Sequence, residues 1–327
     1  MIDRFGRRHV YLRLAITEYC NLSCTYCRPG GAAGPGPKMA SAMSAGAIER
    51  LVRVCAGLGV KKVRITGGEP TVRPDLVEIT RRIATVPGIE TLALTTNGVH
   101  LADLAAPLRE AGLEKLNVSL DSLRPDRFAT ITGRDELDAV LQGVDAAFAA
   151  GFAPLKVNVV VMRGVNDDEL LEFVALGRDR AINVRFIEYM PFRENGWSRE
   201  GLVPYQEMLA RISRKFPVEP IGRGERTGGV AKDFAIEGHL GRVSFITPIS
   251  DTFCERCNRL RITADGRLKT CLFAPAGVDL AVAMEGGSTD EELSLLIRSA
   301  LEQKPERHPE AEDLCDHQDQ SMNTIGG

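Results

Sequence analysis

Residues 11–27, YLRLAITEYCNLSCTYC, run from a short apolar, β-prone segment straight into three cysteines, Cys20, Cys24 and Cys27. YLRLAIT (11–17) reads as a strand, and the cysteines follow it on a loop. Three residues separate the first cysteine pair and two the second, so one loop can wrap three thiolates around a single compact centre. Structural zinc sites and ordinary iron–sulfur clusters take four protein ligands, so three leave one position for a substrate or cofactor.

The order of this first segment, strand then turn then helix, recurs to about residue 190. Strand-like runs at KVRIT (62–66), TLALTT (91–96), KLNVSL (115–120), LKVNVVV (155–161) and INVRFIE (182–188) alternate with helical patterns over 44–58, 74–85, 101–111, 136–150 and 167–177. Gly59, Gly112, Gly151 and Gly177 stand where helix C-caps are expected. Six βα units with right-handed crossovers predict an α/β fold with six parallel strands, an incomplete (βα)6 TIM-like barrel open on one side. Beyond residue 190 the rhythm breaks into a loop, PFRENGWS, a helix over 204–215, and the short runs VAKDFAI (230–236), RVSFIT (242–247) and RLRIT (259–263). The Asp265–Gly266 turn before RLKTCLF adds a hairpin signal, so this half predicts a C-terminal α+β cap carrying antiparallel strands. The expected division is a barrel domain over 1–195 and a cap over 196–327, with a further helix at about 289–302 and a terminal MNTIGG.

A chain of 327 residues can bury a substantial core, and its formal net charge of −3 supplies no global attraction for nucleic acid or an acidic membrane surface. Any anionic ligand must meet local arginine and lysine. The start, MIDRFGRRHVYLRLAIT, lacks the apolar core of a signal peptide, and no stretch approaches a membrane span, which predicts a cytoplasmic protein with no membrane partner. In a reducing compartment clustered cysteines point to metal or catalysis rather than disulfides. Cys55 and Cys315 stand apart from the clusters, and Cys55 falls on a helical pattern where a buried, inert thiol is expected.

A second triad lies near the other end, as Cys254-Glu-Arg-Cys257-Asn-Arg259-Leu-Arg261, with Cys271 separated from Cys257 by thirteen residues. Arg259 and Arg261 alternate on a strand, so both guanidiniums share one face and suit a phosphate-rich ligand. A zinc knuckle completed by a distant histidine is the rival reading, but His9, His100, His239, His308 and His317 form no adjacent ligand-spaced pair. The predicted strands end in suggestive groups: Thr66-Gly67-Gly68-Glu69-Pro70, Thr95-Thr96-Asn97-Gly98, Ser119-Leu-Asp121, Lys156-Val-Asn158 and Glu188-Tyr-Met190. Glycines in the first permit close backbone approach to a ligand, and its carboxylate can accept a bond from an ammonium group.

The spacing C-x3-C-x2-C with an aromatic before the last cysteine resembles the signature of radical S-adenosylmethionine enzymes. The ordered set CNLSCTYC, RITGGEP, LTTNG, NVSLD, KVNVVV, RFIEYM, CERCNRLRIT and a terminal IGG resembles, within them, the family that cyclises GTP at the start of molybdenum cofactor biosynthesis. The resemblance covers about residues 5–327. It implies that Cys20, Cys24 and Cys27 hold a [4Fe–4S] cluster whose open iron takes S-adenosylmethionine, and that Tyr26, Gly68, Ser119 and Met190 line that cofactor's pocket. It implies that Cys254, Cys257 and Cys271 hold a second [4Fe–4S] cluster facing the guanine. By the same resemblance Arg13, Arg64, Thr95, Lys156, Arg259 and Arg261 contact GTP, and Gly326 and Gly327 reach the active site. The implied reaction abstracts the ribose 3′ hydrogen with a deoxyadenosyl radical and joins C3′ to guanine C8. A flavodoxin- or ferredoxin-type electron donor, a downstream cyclic pyranopterin monophosphate synthase and a homodimer are the partners implied.

Three positions depart from that pattern: Arg28 stands where a methionine is usual, a Gly/Ala/Pro run fills residues 30–42, and the tail reads MNTIGG. A peptide maturase of the same superfamily is the nearest rival, although its auxiliary clusters need more cysteines than the three available here. A zinc-dependent nucleic-acid module is disfavoured by the low net charge.

Overall fold

Side chains alternate along β1 (Tyr11–Ala15): Leu12 and Leu14 are fully buried, while Tyr11 and Arg13 turn to the opposite face. The same division continues through β2 (Lys62–Thr66), β3 (Thr91–Thr96), β4 (Lys115–Ser119), β5 (Leu155–Val161) and β6 (Ile182–Glu188). Val63, Ile65, Leu92, Leu94, Val118, Val157 and Val184 make one apolar face. They form a single core with Ile48 and Leu51 of α1 (Ala45–Gly57), Ile79 of α2 (Leu76–Ala84) and Leu108 of α3 (Leu101–Glu110). The other sheet face carries lysine, arginine, asparagine and threonine. A sheet with one apolar and one cationic face has to keep the second wet or give it a ligand.

The computed structural model describes residues 1–27, 42–192, 194–222, 230–317 and 322–325. Within them the chain follows the expected order of six βα units, continuing with α4 (Pro125–Thr132), α5 (Leu137–Ala149), α6 (Leu170–Ala175) and α7 (Tyr205–Ser213). Helix α4 is absent from the sequence reading, although Pro125 at its first turn and Gly133 in the left-handed region at its end mark both boundaries. Gly177 departs from expectation in another way. It does not adopt the left-handed conformation, and an added Cβ would lie 3.3 Å from Gly241 Cα, so its small size serves a close backbone crossing.

The C-terminal half contributes β7 (Val218–Pro220), β8 (Lys232–Ile236), β9 (Arg242–Ile246), β10 (Arg259–Ile262) and β11 (Leu268–Lys269). The expected antiparallel strands are present as β8–β9 and the β10–β11 hairpin, and β7, which the sequence reading did not include, adds the pair β7–β8. Two of these strands do more. β10 pairs parallel to β1, and β9 pairs parallel to β6, giving one sheet in the order β11-β10-β1-β2-β3-β4-β5-β6-β9-β8-β7. Eight consecutive strands are therefore parallel, the expected six and one from the C-terminal half at each end. The physical reason is that β1 and β6 would otherwise end the sheet with unpaired backbone groups.

The remaining helices are α8 (Leu280–Glu285), α9 (Asp290–Glu302), α10 (Ala311–His317) and α11 (Met322–Ile325). Thr289 and Glu292 form a capping box that starts α9. Ile325 packs with Phe192, Phe273 and Leu314. Cys55 is buried on α1, where burial pushes its thiol up to about 12, in keeping with an inert core residue. The side chain of Cys315, most of the 30–42 run, Arg28 and the terminal Gly326 and Gly327 lie outside the described residues. Among the described residues no helix is long and apolar enough to cross a membrane.

Candidate active site

The first cysteine loop is held on two sides by backbone hydrogen bonds. Ser23 N donates to Thr132 O at 2.8 Å and Thr25 N to Ile131 O at 2.9 Å, so the loop sits on the last turn of α4. Across from it Gly68 N donates to Thr17 O at 2.7 Å and Glu69 N to Tyr19 O at 2.8 Å. A Cβ on Gly68 would stand 2.3 Å from Tyr19 O and 2.6 Å from Glu18 O. The close approach these glycines permit is thus to the cysteine loop, where the sequence reading expected a ligand. Gly68→Ala is expected to destabilise the fold by about 1–3 kcal/mol through overpacking against rigid backbone, read as a lower denaturant midpoint at unchanged slope.

Glu69 is buried and ties the ends of β2 and β3 together. Its carboxylate accepts from Thr71 N at 2.9 Å, Thr71 Oγ1 at 2.6 Å, Thr96 Oγ1 at 2.7 Å and Asn97 N at 2.6 Å. Asn97 Nδ2 in turn donates to Asn21 Oδ1 at 2.8 Å, inside the cysteine loop. On the other flank Tyr26 Oη donates to Asp121 Oδ2 at 2.7 Å, and Val160 N to Asp121 Oδ1 at 2.8 Å. Burial pushes the Asp121 carboxyl up to about 6. Burial also pushes the Cys24 thiol well up, reinforced by the charges of Asp121, Cys27 and Cys20. A bound cationic centre would relieve that crowding.

The second triad repeats one local device. Cys257 N donates to Cys254 O at 3.1 Å, as Cys27 N does to Cys24 O at 3.0 Å. Cys271 comes just after β11, whose antiparallel register with β10 returns it to the rim where β10 begins. At Cys254 and Cys257 burial opposes the thiolate, but His308 beside the first, and Lys304 and Arg259 beside the second, outweigh it and hold both thiols below their usual range. Thiolate is the form that binds metal, so this donor set fits an iron–sulfur centre.

Both triads line the same cavity of about 1020 Å³. Because β10 runs parallel to β1, the triad before β10 and the triad after β1 lie at opposite rims of the sheet. The four steps from Tyr11 to Ala15 alone span about 13 Å at ~3.3 Å per residue. Between the rims the strand register sets Arg261, Arg13 and Arg64 side by side, with Arg259, Tyr11 and Lys62 in the next row. Ten lysines and arginines line the cavity against four aspartates and glutamates.

This charge is packed tightly. Burial, and then the neighbouring guanidiniums, push Arg13 well down and Arg261 and Arg185 to about 10. Since arginine stays protonated in proteins, the shifts register repulsion that an anion would relieve. Burial followed by Arg185, Arg64, Lys62 and Lys115 lowers Lys156 to about 7. Lys62 falls to about 8, chiefly through burial. Burial would raise the Tyr11 phenol, but Arg64, Arg13, Lys62 and Arg259 overcome it and hold the phenol well below its usual range. Arg64 is fixed by Tyr11 Oη at 2.7 Å from Nε and by Leu94 O at 2.8 Å from Nη1. Thr66 Oγ1, Asn117 Oδ1, Asn158 Oδ1 and Arg259 Nε line the cavity, buried, with no hydrogen-bond partner. Orphaned polar atoms on a cationic wall fit a polar anionic ligand.

Every expected site residue among the described ones lines this cavity: the six triad cysteines, Tyr26, Gly68, Ser119, Met190, Arg13, Arg64, Thr95, Lys156, Arg259 and Arg261. Tyr11, Lys62 and Arg185 were not in that set. Their signal was the strand alternation, which places Tyr11 two residues from Arg13, Lys62 two from Arg64, and Arg185 two from Asn183. Met322 of α11 also lines the cavity, so the tail reaches the site before its final glycines. Among the described residues no three His, Cys, Asp or Glu side chains converge on one ion-sized point. The ligand sets stand instead on cysteine spacing and a shared cavity.

The Radical SAM superfamily profile matches residues 14–177, and that of Molybdenum Cofactor Synthesis C matches residues 182–310. A Geobacter sulfurreducens protein named GTP 3′,8-cyclase is 46% identical over 332 aligned residues, covering 100% of this chain and 99% of its own. A Moorella thermoacetica protein of the same name is 43% identical, with 100% of both chains covered. Among solved structures, that of Streptococcus suis SuiB aligns with a TM-score of 0.58 at 16% identity, over 98% of this chain and 76% of that one, which is a likeness of fold. Full-length identity of this order, on a chain whose two cysteine triads meet in one cationic cavity, makes it a member of the GTP 3′,8-cyclase family of radical SAM enzymes.

Proposed function

We propose that the chain cyclises GTP to 3′,8-cyclo-7,8-dihydroguanosine triphosphate, the first step of molybdenum cofactor biosynthesis. The observation that carries this reading is the row of cations, Arg261, Arg13 and Arg64, set on strands between two cysteine triads at opposite rims of one cavity. In this reading the scaffold is an incomplete (βα)6 barrel over residues 1–195, completed by the 196–327 segment. Cys20, Cys24 and Cys27 hold one [4Fe–4S] cluster, with S-adenosylmethionine against Tyr26, Gly68, Ser119 and Met190. Cys254, Cys257 and Cys271 hold a second. When bound, the first cluster and S-adenosylmethionine supply the one-electron chemistry that removes a hydrogen from the ribose.

The protein's own part is binding and placement. Arg13, Arg64, Arg259, Arg261, Lys62 and Lys156 neutralise the triphosphate, while Thr95 and the unpartnered Asn117 and Asn158 oxygens supply polar contacts to the nucleoside. Holding ribose and guanine on fixed strands replaces a bimolecular encounter with a positioned one. Gly326 and Gly327, which follow α11 in the chain, act at the active site in this reading. A low-potential flavodoxin or ferredoxin as electron donor, a cyclic pyranopterin monophosphate synthase downstream, a homodimeric assembly and a cytoplasmic setting complete the reading.

Anaerobic reconstitution with iron and sulfide, followed by a search for 5′-deoxyadenosine, tests it. Deoxyadenosine is expected with GTP and not with ATP; none with either nucleotide and a competent reductant present would refute the reading. Lys156 adds a pH signature. Its ammonium titrates at about 7 in the ligand-free protein, and a bound triphosphate raises that value. GTP binding at pH 8 is therefore expected to take up protons, and affinity to fall as pH rises above 7. Calorimetry in buffers of different ionisation enthalpy measures the uptake, which Lys156→Met should reduce to the share of Lys62, held at about 8.

A further inference from the structure

Two buried cations grip the second cysteine triad from opposite ends of the chain. Arg7, in the segment before β1, donates from Nη1 to Cys254 O at 2.9 Å and to Glu306 O at 2.7 Å, and from Nη2 to Pro305 O at 2.8 Å. Its charge is answered locally, because Nε pairs with Asp3 at 2.6 Å and Asp3 also meets His9 Nε2 at 3.0 Å. Lys304, which follows α9, is 2% exposed. Its Nζ donates to Thr270 O, the residue before Cys271, and to Arg259 O at 3.4 Å, two residues after Cys257. Among the described residues no carboxylate pairs with it.

Arg7 has a carboxylate, so its role is to fasten the Cys254 carbonyl to the 305–306 backbone. Lys304 has only carbonyl dipoles, and an ammonium buried without a counter-charge costs several kcal/mol. The thiolates of Cys257 and Cys271, whose neighbouring carbonyls it already binds, can supply that negative charge. A fixed positive charge beside an iron–sulfur centre favours the reduced, more negative state.

We propose that Lys304 is the fixed counter-charge of the second iron–sulfur centre, positioned by Arg7 through the 305–306 backbone, and that it sets that centre's reduction potential. Lys304 is a positioning and tuning residue: it touches neither reacting atoms nor, through its side chain, an iron. The proposal rests on the reading that the second triad holds a cluster, and the test separates the two. The full chain carrying Cys20→Ala, Cys24→Ala and Cys27→Ala is reconstituted anaerobically, so that only the second centre loads. About four irons per chain are expected. No iron at all overturns the two-centre reading, and this proposal with it.

In that background Lys304→Met and Lys304→Arg are compared by iron content and by electron paramagnetic resonance during a redox titration. Lys304→Met is expected to keep its iron and shift the midpoint to more negative potential. At the unsubstituted midpoint its ratio of reduced to oxidised centre should fall at least about tenfold, which is about 59 mV for one electron. Lys304→Arg, which keeps the charge, should restore the midpoint. Iron lost from Lys304→Met but kept by Lys304→Arg assigns the residue a structural part, through its donors to Thr270 O and Arg259 O, and overturns the proposal. An unchanged midpoint in Lys304→Met, or iron lost from both variants, overturns it.

Discussion

Replacing Arg259 and Arg261 together with alanine is expected to weaken GTP binding by roughly 10²–10⁴-fold while leaving the iron content of both centres unchanged. Each guanidinium that binds a phosphate is worth about 1.5–3 kcal/mol, and about 1.4 kcal/mol is a factor of ten. The pair sits in two successive rows of the cation lattice, opposite Tyr11 and Arg13 on β1. Because Arg261 is held down by burial and by Arg259, their removal also takes away repulsion from the ligand-free site. The ligand-free fold should therefore not weaken in step with binding. Equilibrium dialysis with GTP under anaerobic conditions, beside an iron assay, gives both quantities. Loss of iron with the arginines would assign them an architectural part in the neighbouring triad.

The second large effect is expected from Cys20→Ala, Cys24→Ala and Cys27→Ala made together. Iron should fall from about eight to about four per chain, and deoxyadenosine formation should drop to background. GTP binding should stay within a few fold, because the cations that meet the triphosphate stand on strands and do not depend on this loop. The loop itself is pinned by α4 and by the Gly67–Gly68 turn whether or not it holds metal. Full iron retention in the triple variant would contradict the assignment of these ligands.

Local pattern was enough to find most elements. The runs at 62–66, 91–96, 155–161 and 182–188 coincide with β2, β3, β5 and β6, because apolar, β-branched runs between turn signals are a short-range property. Helix α4 escaped that reading, since it is only eight residues long and its terminal Pro125 and Gly133 alone announce it. Tyr11, Lys62 and Arg185 escaped for a related reason: one cation on a strand reads as a solvated side chain until its neighbours are known.

What the sequence determined by itself was the identity of the strands, the two cysteine triads with their spacing, and the set of candidate ligands. Those follow from covalent order and local alternation. Only the tertiary structure decided that β10 lies beside β1, where Tyr11 meets Arg259, and β9 beside β6, where Asn183 meets Arg242. Pairing of that kind depends on which sheet edges remain open once the βα units have folded, and no local pattern encodes it. That register carries Arg259 and Arg261 into line with Tyr11 and Arg13, and it sets the two triads on opposite rims of one cavity.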